Sequence, residues 1–214
     1  MARQLKKIAF LVPRYGLSQE GFTRYWRETH GPLVAGSPGY GEYRRKYVQN
    51  HFVGRPIGDA FDYAGMAEFW LPGDNEDTFA TTQIYRERIK VDEMKFIDMD
   101  GTVSMTASEE IVQAATGSIK LVVIRRQIDP IMSKMSSGWN GAKGVVLNHV
   151  IKGSFRLPGA RPVQGAIERV DEYWFDSESD GRRVLASLIA EAGQSAFLAK
   201  EYVFFEHGCP ISID

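Results

Sequence analysis

The stretch KKIAFLVPRYGLSQEGFTRYWRETHGPLV, residues 6–34, predicts a β-strand followed at once by an α-helix. It begins with a run of mainly apolar residues that Pro13 interrupts, which is typical of a strand. Ser18 is a favoured N-cap residue, and apolar or aromatic residues then recur at the spacing of one helical face. Gly31 and Pro32 commonly end helices, so we expect the helix to stop there.

The residues that follow extend this pattern into a unit with the element order βαββαβ. Apolar and β-branched residues predict strands at 42–53 and 62–71. A second helix is predicted from an N-cap at Asn75 to about residue 90, and MKFIDM at 94–99 predicts a short closing strand. Two helices would then pack on one face of an antiparallel sheet.

The second half of the chain repeats the strand signals of the first half in the same order. The corresponding runs lie at residues 118–127, 143–151, 169–177 and 199–207. The pair Asn50-His51 also recurs, as Asn148-His149. Landmarks that recur in one order favour an internal duplication.

Two units are therefore predicted, residues 1–112 and 117–214. Each would leave one face of its sheet bare, and the other unit can bury that face. We predict an α+β fold in which two ferredoxin-like βαββαβ units form an intramolecular barrel with the helices outside. The space between the two sheets is the expected ligand pocket. The segment 129–144 replaces the first helix and its histidine, so we expect one site, lined mainly by the first unit.

The composition narrows the class of protein. The chain has 214 residues and a net charge of −1, whereas nucleic-acid-binding proteins usually carry a basic surplus, so no nucleic-acid partner is expected. The basic residues 44–46 are interpreted as strand surface.

No run of 18 apolar residues occurs, which predicts no membrane partner. The single cysteine, Cys209, is typical of a protein of the reducing cytoplasm. The common dinucleotide, P-loop, zinc-protease and serine-hydrolase motifs are missing.

Three strings resemble the EthD-like family of dimeric α+β barrels: KIAFLVPRYGLSQEGFTRYWRETHGPLV at 7–34, YVQNH at 47–51 and DEMKFID at 92–98. Residues 118–207 resemble a degenerate second copy. The resemblance implies chemistry without a metal or an organic cofactor. Family members to which this chain is similar include isomerases of methylmuconolactones and cyclases or decarboxylases of polyketides. The resemblance therefore implies proton transfer next to a carbonyl group of an aromatic or polyketide-like small molecule, and it leaves a homodimer open.

Of the four histidines, His30 extends the helical face of Phe22 and Trp26, which is predicted to look inward. In the last turn of a helix, it would lie near the negative end of the helix dipole, which favours an imidazolium ion. We expect it to act as an acid–base group or to donate to a developing oxyanion. The alternative is a structural role, in which it binds carbonyl groups of its own helix.

The predicted strand at 42–53 places Tyr43, Tyr47 and His51 on one face, because alternate residues of a strand share a face. Such a face suits a polar-lined barrel interior better than a layer packed under helices. We predict that His51 moves a proton while Tyr43 and Tyr47 orient or polarise a substrate oxygen. The alternative is that this face points to solvent at the end of the strand.

Aromatic side chains near this predicted site offer a flat slot for an aromatic ring, with ordinary core packing as the alternative. The predicted substrate-binding residues are Tyr15, Tyr25, Trp26, Asn50, Phe69 and His149. His149 has the apolar neighbours Val145 and Leu147 on its face, which favour a structural histidine instead. No metal ligand is predicted.

These residues predict a cofactor-independent lyase or isomerase, for example a dehydratase, cyclase or decarboxylase, that uses His30, His51, Tyr43 and Tyr47. One alternative is a haem protein or a cofactor-free monooxygenase of the same superfamily. Haem would need His51 or His149 as its axial ligand. Another alternative is a non-catalytic module that binds a small molecule in the same slot.

Overall fold

Antiparallel strands close into a barrel in the computed structural model, which describes residues 4–58, 63–73, 77–126, 141–155, 167–187, 194–207 and 209–211. The barrel strands are β1 (Gln4–Leu11), β2 (Lys46–Gly58), β3 (Gly65–Trp70), β4 (Val103–Gln113), β5 (Ile119–Arg125), β6 (Gly144–Phe155), β7 (Arg169–Phe175) and β8 (Gln194–Glu206). They follow the order β2-β3-β1-β4-β6-β7-β5-β8, and the pairing of β8 with β2 closes the barrel. A short strand, β9 (Cys209–Pro210), pairs antiparallel with the end of β8.

The helices lie on the outside of the barrel. In chain order they are α1 (Gln19–Tyr25), a first π turn (Trp26–His30), α2 (Gly31–Ala35), α3 (Tyr40–Tyr43), a 3₁₀ turn (Phe79–Thr81), a second π turn (Tyr85–Ile89), α4 (Lys90–Phe96) and α5 (Glu178–Ser187). The elements from α1 to α4 cover the first-half sheet, and α5 packs on β5, β7 and β8. None of these helices has the length and apolar character needed to span a membrane.

The two halves of the chain share one strand order. The first four strands lie in the order β2-β3-β1-β4, and the next four lie in the order β6-β7-β5-β8. Both are the ferredoxin-like order, and the halves meet where β4 pairs with β6 and β8 pairs with β2. The predicted α+β barrel with outer helices is therefore confirmed.

The first helical segment continues beyond its predicted end. Ser18 caps α1 as predicted, since its hydroxyl accepts a backbone N–H of the first turn. However, the helix does not end at Gly31 and Pro32, because α2 continues it to Ala35. A proline ring clashes with the carbonyl four residues earlier in an α-helix, and we attribute its tolerance here to the wider π turn before it. Gly31 serves close packing instead, because a Cβ there would lie 2.1 Å from the Phe204 ring.

The second strand begins at Lys46 and not at Glu42 as predicted. The short helix α3 occupies residues 40–43, with Gly39 at a φ of +71° just before it. Tyr43 therefore lies on a helix and does not share a strand face with Tyr47. Glycine adopts this left-handed backbone without strain, so the chain can turn into α3 at this point.

The predicted closing strand MKFIDM is also wrong. Residues 94–96 belong to α4, and the fourth strand is β4, which begins at Val103. The aromatic and acidic residues of this segment lie on the inner face of a helix. In a segment of only six residues, such a pattern does not distinguish a helix from a strand. Asn75, the predicted helix cap, and most of 129–144 lie outside the described residues.

The face of β2 that carries Tyr47, Gln49 and His51 points toward the helices. Tyr47 belongs to the buried cluster under the helices, and the His51 ring lies 4.5 Å from the Trp26 ring. The prediction that this face lines the barrel interior is therefore wrong. The polar atoms of these side chains bond largely to one another, so they can pack under a helix.

Apolar side chains of both halves fill the space between the two sheets. They include Ile8, Phe10, Met66, Met105, Val122, Ile124, Val170 and Phe197. These residues are almost completely buried. Among the described residues, the expected pocket between the sheets is therefore replaced by a packed core.

Buried charges complete this interior. Lys6 Nζ lies 2.7 Å from Glu68 and 3.0 Å from Glu172, and Lys120 Nζ lies at the same two distances from the same two carboxylates. The four side chains are at most 1% exposed. Burial alone would lower the pKa of both lysines, but the surrounding carboxylates raise it above the ordinary value.

Matching residues of the two halves hold matching positions in this network. Lys6 pairs across strands with Trp70, and Lys120 pairs with Trp174. Each ammonium lies over the indole that it faces, at 4.5 and 4.7 Å. These two pairs give a common reference for comparing the halves residue by residue.

Candidate active site between the helices and the first-half sheet

A cavity of about 390 Å³ lies between the outer face of the first-half sheet and the helices above it. Its floor comes from β1, β2 and β3, and its roof comes from the two π turns and the elements around them. The apolar part of its lining includes Leu11, Trp26, Phe69, Phe79, Ile89 and Ile97. The volume and the mostly apolar lining are those of a small-molecule site.

Small residues on the sheet make room for this cavity. Ala9 and Ala67 face each other on β1 and β3 and both line it. Next to them, Gly65 lets the Trp26 ring approach the strand, because a Cβ at this position would lie 2.4 Å from an indole carbon. The cavity thus follows from missing side-chain volume on the floor.

His30 lies at the end of the first π turn, is buried and lines the cavity. Its Nδ1 lies 2.9 Å from Oδ2 of Asp92, and its ring packs 4.9 Å from the Phe96 ring. A carboxylate only accepts hydrogen bonds, so Nδ1 carries the proton of the neutral ring and Nε2 carries the lone pair. Within the described part of the chain, no hydrogen bond occupies Nε2.

Asp92 is held as an ion by three donors. The Tyr25 hydroxyl donates to Oδ1 at 2.7 Å and Lys95 Nζ at 3.0 Å, in addition to His30. The hydrogen bond from His30 lowers the pKa of Asp92 most, and those from Tyr25 and Lys95 add to it against the opposing effect of burial. Asp92 therefore stays charged, fixes the histidine tautomer and can stabilise an imidazolium ion.

Tyr47 is positioned by a relay along β2. Gln49 Nε2 donates to the Tyr47 hydroxyl at 2.8 Å and to the Trp26 carbonyl at 3.0 Å, and Gln49 Oε1 lies 2.8 Å from Nε2 of His51. Burial raises the pKa of Tyr47, so the phenol keeps its proton and can donate it. Burial, with a contribution from Arg27, lowers the pKa of His51 to about 3, so His51 is neutral.

A second acidic residue, Glu93, follows Asp92 on α4 and lines the cavity. Its Oε2 accepts a hydrogen bond from the Tyr85 hydroxyl at 2.9 Å. Burial raises the pKa of Glu93, and this outweighs the opposing effects of His30 and of the bond from Tyr85. Glu93 therefore holds a proton more readily than an exposed carboxyl does.

A cationic pair lies elsewhere in the cavity lining. Lys7 Nζ lies 2.7 Å from Asp77 Oδ2, and the Arg44 guanidinium lies 2.5 Å from Asp77 Oδ1. Burial alone would raise the pKa of Asp77, but the two cations lower it below the ordinary value. All three side chains line the cavity.

The structure brings only part of the predicted site together. Trp26, His30, Tyr47 and Phe69 line the cavity. Tyr25 lies behind His30 through their shared partner Asp92, and His51 lies behind Tyr47 through Gln49. His30 and His51 therefore do not face each other across this cavity.

The other predicted site residues lie away from it. Tyr15 is fully exposed, and Tyr43 lies on α3 outside the lining. Asn50 points into the barrel interior and donates to Glu68 at 2.6 Å. His149 is exposed, and its Nε2 lies 2.8 Å from Oε2 of Glu110 on the neighbouring strand, away from the cavity.

Sequence reasoning missed the charged lining. Arg44 was interpreted as strand surface, yet it is 3% exposed. Asp92 lies in the DEMKFID string, but its contact with His30 joins residues 62 positions apart. The adjacent acidic residues Asp92 and Glu93 were the available signal in the sequence for charged groups at the site. Neighbouring carboxyl groups on a helix can contact different partners, as these two do with His30 and Tyr85.

The two histidines considered for haem do not suit that group. His51 Nε2 is held by Gln49, and its ring lies between Trp26 and Tyr202, with the second ring 5.0 Å away. His149 lies on the surface beside Glu110. Of the residues that the structure describes, no group of three or more His, Cys, Asp or Glu side chains could hold a metal ion.

Comparison with known proteins gives a family match and likenesses in fold. Residues 14–100 match the EthD domain, which confirms the resemblance for this part of the chain. No curated protein matches the sequence. A crystal structure of an anthrone oxidase-like protein aligns with a TM-score of 0.60 at 9% identity, over 100% of this chain and 99% of that one. A protein of Fusobacterium nucleatum subsp. nucleatum named "putative monooxygenase" aligns with a TM-score of 0.50 at 8% identity, over 100% and 98%. At these identities, the likeness shows a shared barrel fold.

Proposed function

We propose that the protein is a cofactor-independent acid–base enzyme, a lyase or isomerase, and that the helix–sheet cavity is its reaction site. The observation that carries the proposal is the His30–Asp92 pair, in which a carboxylate holds Nδ1 while Nε2, beside the cavity, bonds to none of the described residues. This is the arrangement of a general base whose partner fixes the tautomer and stabilises the charged form. His30 was predicted from sequence, and Asp92 comes from the structure.

The proposed first step is removal of a proton from carbon next to a carbonyl group. Nε2 of His30 takes the proton, the C–H electron pair moves into a C=C bond, and the carbonyl oxygen becomes negative. His30 then carries one positive charge, which Asp92 offsets. The imidazolium returns the proton to another carbon in an isomerisation or to the leaving group in an elimination.

Tyr47 is the proposed donor to the oxygen that becomes negative. Gln49 donates to its hydroxyl, so the tyrosine proton is free to point elsewhere. A preorganised donor in a site that excludes water stabilises a developing oxyanion strongly. His51 is then a positioning residue, which holds Gln49 and through it Tyr47.

The aromatic lining supports an aromatic or polyketide-like carbonyl compound as the substrate. Trp26 and Phe69 line the cavity, and Phe69 stacks on Tyr47 with ring centroids 4.8 Å apart. Flat rings pack well against such faces. The apolar floor of Ala9 and Ala67 leaves room for the ring.

The chain is further proposed to be a tandem duplication with units at 1–112 and 117–214, of which only the first keeps this site. Support comes from the two ferredoxin-like strand orders and from the matching Lys6–Trp70 and Lys120–Trp174 pairs. The EthD match lies within the first unit.

Proton exchange tests the proposal without knowledge of the natural substrate. Anthrone carries exchangeable C–H bonds at the ring carbon opposite its carbonyl group, and loss of a proton there places the negative charge on the carbonyl oxygen through the aromatic rings. NMR in D₂O without oxygen follows this exchange. We expect His30→Asn to slow enzyme-dependent exchange by about 10²–10⁴-fold. His207→Asn is the matched control, because His207 is exposed and has a positive φ that asparagine also adopts. Full exchange activity in His30→Asn would contradict the assignment of His30 as the general base. If the wild-type protein binds anthrone without any exchange, a non-catalytic binding module is favoured.

Cofactor-free oxidation is a second candidate, favoured by the names of the aligned anthrone oxidase-like protein and monooxygenase. It would use the same first step. The substrate carbanion would react with O₂: one oxygen atom bonds to the deprotonated ring carbon and becomes the second C=O group of anthraquinone, and the other leaves as water with the two hydrogens of that carbon. Consumption of one O₂ per anthrone in air would identify this reaction, whereas exchange without oxygen consumption would leave the lyase or isomerase assignment.

A further inference from the structure

The cationic part of the cavity has no role in the proton transfer proposed above. Lys7 and Arg44 share one carboxylate, Asp77. Asp77 also accepts the backbone N–H of Phe79 at 3.2 Å, so both of its oxygens are engaged. Two positive charges therefore meet one negative charge in this corner.

The other acidic residues nearby are engaged elsewhere. Asp92 bonds to His30, Tyr25 and Lys95. Glu93 accepts from Tyr85, and within the described residues it forms no ion pair with Lys7 or Arg44. Burial raises the pKa of Glu93, against the opposing effects of His30, Tyr85, Lys7 and Lys90. Besides His30, the charged residues of the lining are three cations, Lys7, Arg44 and Lys90, and two acids, Asp77 and Glu93. The cations of the lining are therefore in excess by one.

Arg44 is held in place but is not fully satisfied. Its guanidinium lies over the rings of Phe69 and Phe79, at 5.4 and 5.3 Å, and its side chain is 4% exposed. The Nε–H group is buried and has no hydrogen-bond partner in the structure. A buried donor without an acceptor costs about 1–3 kcal/mol. A bound anionic ligand would offset this cost if it accepted the hydrogen bond from the Nε–H group of Arg44.

We infer that the cavity selects anionic aromatic compounds, whose negatively charged oxygen binds beside Arg44 and Lys7 while the ring lies against Trp26 and Phe69. This inference rests on the proposed function, since it takes the same cavity as the reaction site. It narrows the substrate from aromatic carbonyl compounds in general to those that also carry a carboxylate or an ionised phenol. Arginine and lysine together suit such an oxygen, because charge-assisted hydrogen bonds are the stronger ones.

Matched probes that differ in charge test this inference. The affinities of 2-naphthoate and of its neutral analogue 2-naphthamide are measured with the full chain by isothermal titration calorimetry. We expect naphthoate to bind about tenfold or more tightly than naphthamide, which corresponds to one charge-assisted contact. Arg44→Met should weaken naphthoate binding much more than naphthamide binding, and so remove most of this preference. Arg45→Met is the control, because Arg45 is the exposed neighbour of Arg44 on the chain.

The two sources of an anionic oxygen are separated by a third probe. The affinity of 2-naphthol is measured on both sides of its own ionisation. Tighter binding of the ionised form assigns a phenolate, and a preference seen only with naphthoate assigns a carboxylate. Either result supports an anion site at Arg44 and Lys7.

Several outcomes overturn the inference. Equal affinity for naphthoate and naphthamide, no binding of naphthoate, or full charge preference in Arg44→Met would each do so. If Arg44→Met does not fold, Lys7→Met gives the same test, since the Lys7 side chain is 28% exposed and less needed for packing. His30→Asn should retain the charge preference while it loses proton exchange. A failed base assignment and a failed anion site therefore give different results.

Discussion

The two halves of the barrel differ mainly on the outer faces of their sheets. At equivalent points of the strand register, Ala9 pairs with Ala67 in the first half and Val123 pairs with Asp171 in the second. The alanines form part of the floor of the cavity. Val123 and Asp171 are completely buried instead. The cavity of the first half therefore exists because small side chains leave space on the outer face of its sheet.

The next strand position on the same face of the sheet, two residues along the chain, also differs between the halves. Gly65 of the first half corresponds to Arg169 of the second half. Arg169 and Arg125 both bind Asp171 at 2.5 Å, so an ionic cluster lies where the first half has Trp26 against a glycine. The inner faces, in contrast, keep the same lysine, glutamate and tryptophan. The shared inner network defines the barrel, and the outer faces are free to specialise.

The largest expected effect concerns that inner network, where the pKa values of two equivalent glutamates are shifted in opposite directions. Four carboxyl groups surround two lysines, since Glu109 and Glu201 also lie within 3.0 Å of a lysine. Burial and the neighbouring Glu68 raise the pKa of Glu172, whereas Lys120 and Lys6 lower the pKa of Glu68 despite burial. Glu68→Gln should cost about 3 kcal/mol of unfolding free energy, because it removes a buried carboxylate held by two cations. Glu172→Gln should cost less than about 1 kcal/mol, because glutamine resembles the protonated acid.

The pH dependence of these variants has opposite signs. The contribution of Glu172 to stability is present below its unfolded pKa and is lost as pH rises through its raised folded pKa, so Glu172→Gln should gain on the wild type between about pH 5 and about pH 8. The contribution of Glu68 is present above its unfolded pKa and is lost in acid, so the cost of Glu68→Gln should shrink there. Urea unfolding at several pH values measures both. Equal costs at every pH would mean that the two glutamates are equivalent.

An intermediate effect is expected at Gly65. Gly65→Ala should lower the unfolding free energy by about 1–3 kcal/mol, because the added methyl group overpacks against the Trp26 ring and the Asn50 carbonyl. Trp26→Leu in the same chain should recover part of this loss in a double-mutant cycle, since it removes the nearer contact. Gly21→Ala on α1 is the control and should destabilise less, because the atoms nearest to its added methyl group lie 3.1 and 3.2 Å away, on Leu17 and Ser18, and not at 2.4 Å. An additive cycle would show that the indole does not limit this position.

The smallest effect on stability is expected when the first-half floor is given a second-half residue. Ala9→Val should change the unfolding free energy by less than about 1 kcal/mol, because the cavity can accept the added methyl groups. It should nevertheless weaken 2-naphthoate binding about tenfold or more, since it occupies ligand space. Val123→Ala is the reverse change and should cost about 1–3 kcal/mol without altering binding. Unchanged binding in Ala9→Val would show that the ligand lies elsewhere.

The strand order could be predicted from sequence because each strand carries its own apolar signal and because the halves repeat it. The exceptions have local causes. A proline after a π turn does not end the helix, and the aromatic face of α4 resembles a short strand. It was harder to predict which face of β2 the helices cover. Tyr47 and His51 both bond to Gln49, although Nδ1 of His51 has no partner among the described residues, so these polar side chains can lie under helices.

The site was only half predictable for a related reason. His30, Trp26, Tyr47 and Phe69 lie in segments with a strong local pattern. Their charged partners become partners only through tertiary contacts between distant elements, as Asp92 does with His30. A single sequence carries no local signal for such a contact. The structure therefore supplies the second member of each catalytic or binding pair.

The two π turns give the cavity a roof of a particular kind. In each turn the closing backbone bond spans five residues, from Gly31 N–H to the Trp26 carbonyl and from Lys90 N–H to the Tyr85 carbonyl. The first and last residues of both turns line the cavity. Such turns form a less regular backbone ladder than the α-helix does. We expect the roof to be the part of the helical layer that opens most easily, so that a ligand could reach the cavity by local opening while the barrel beneath stays folded.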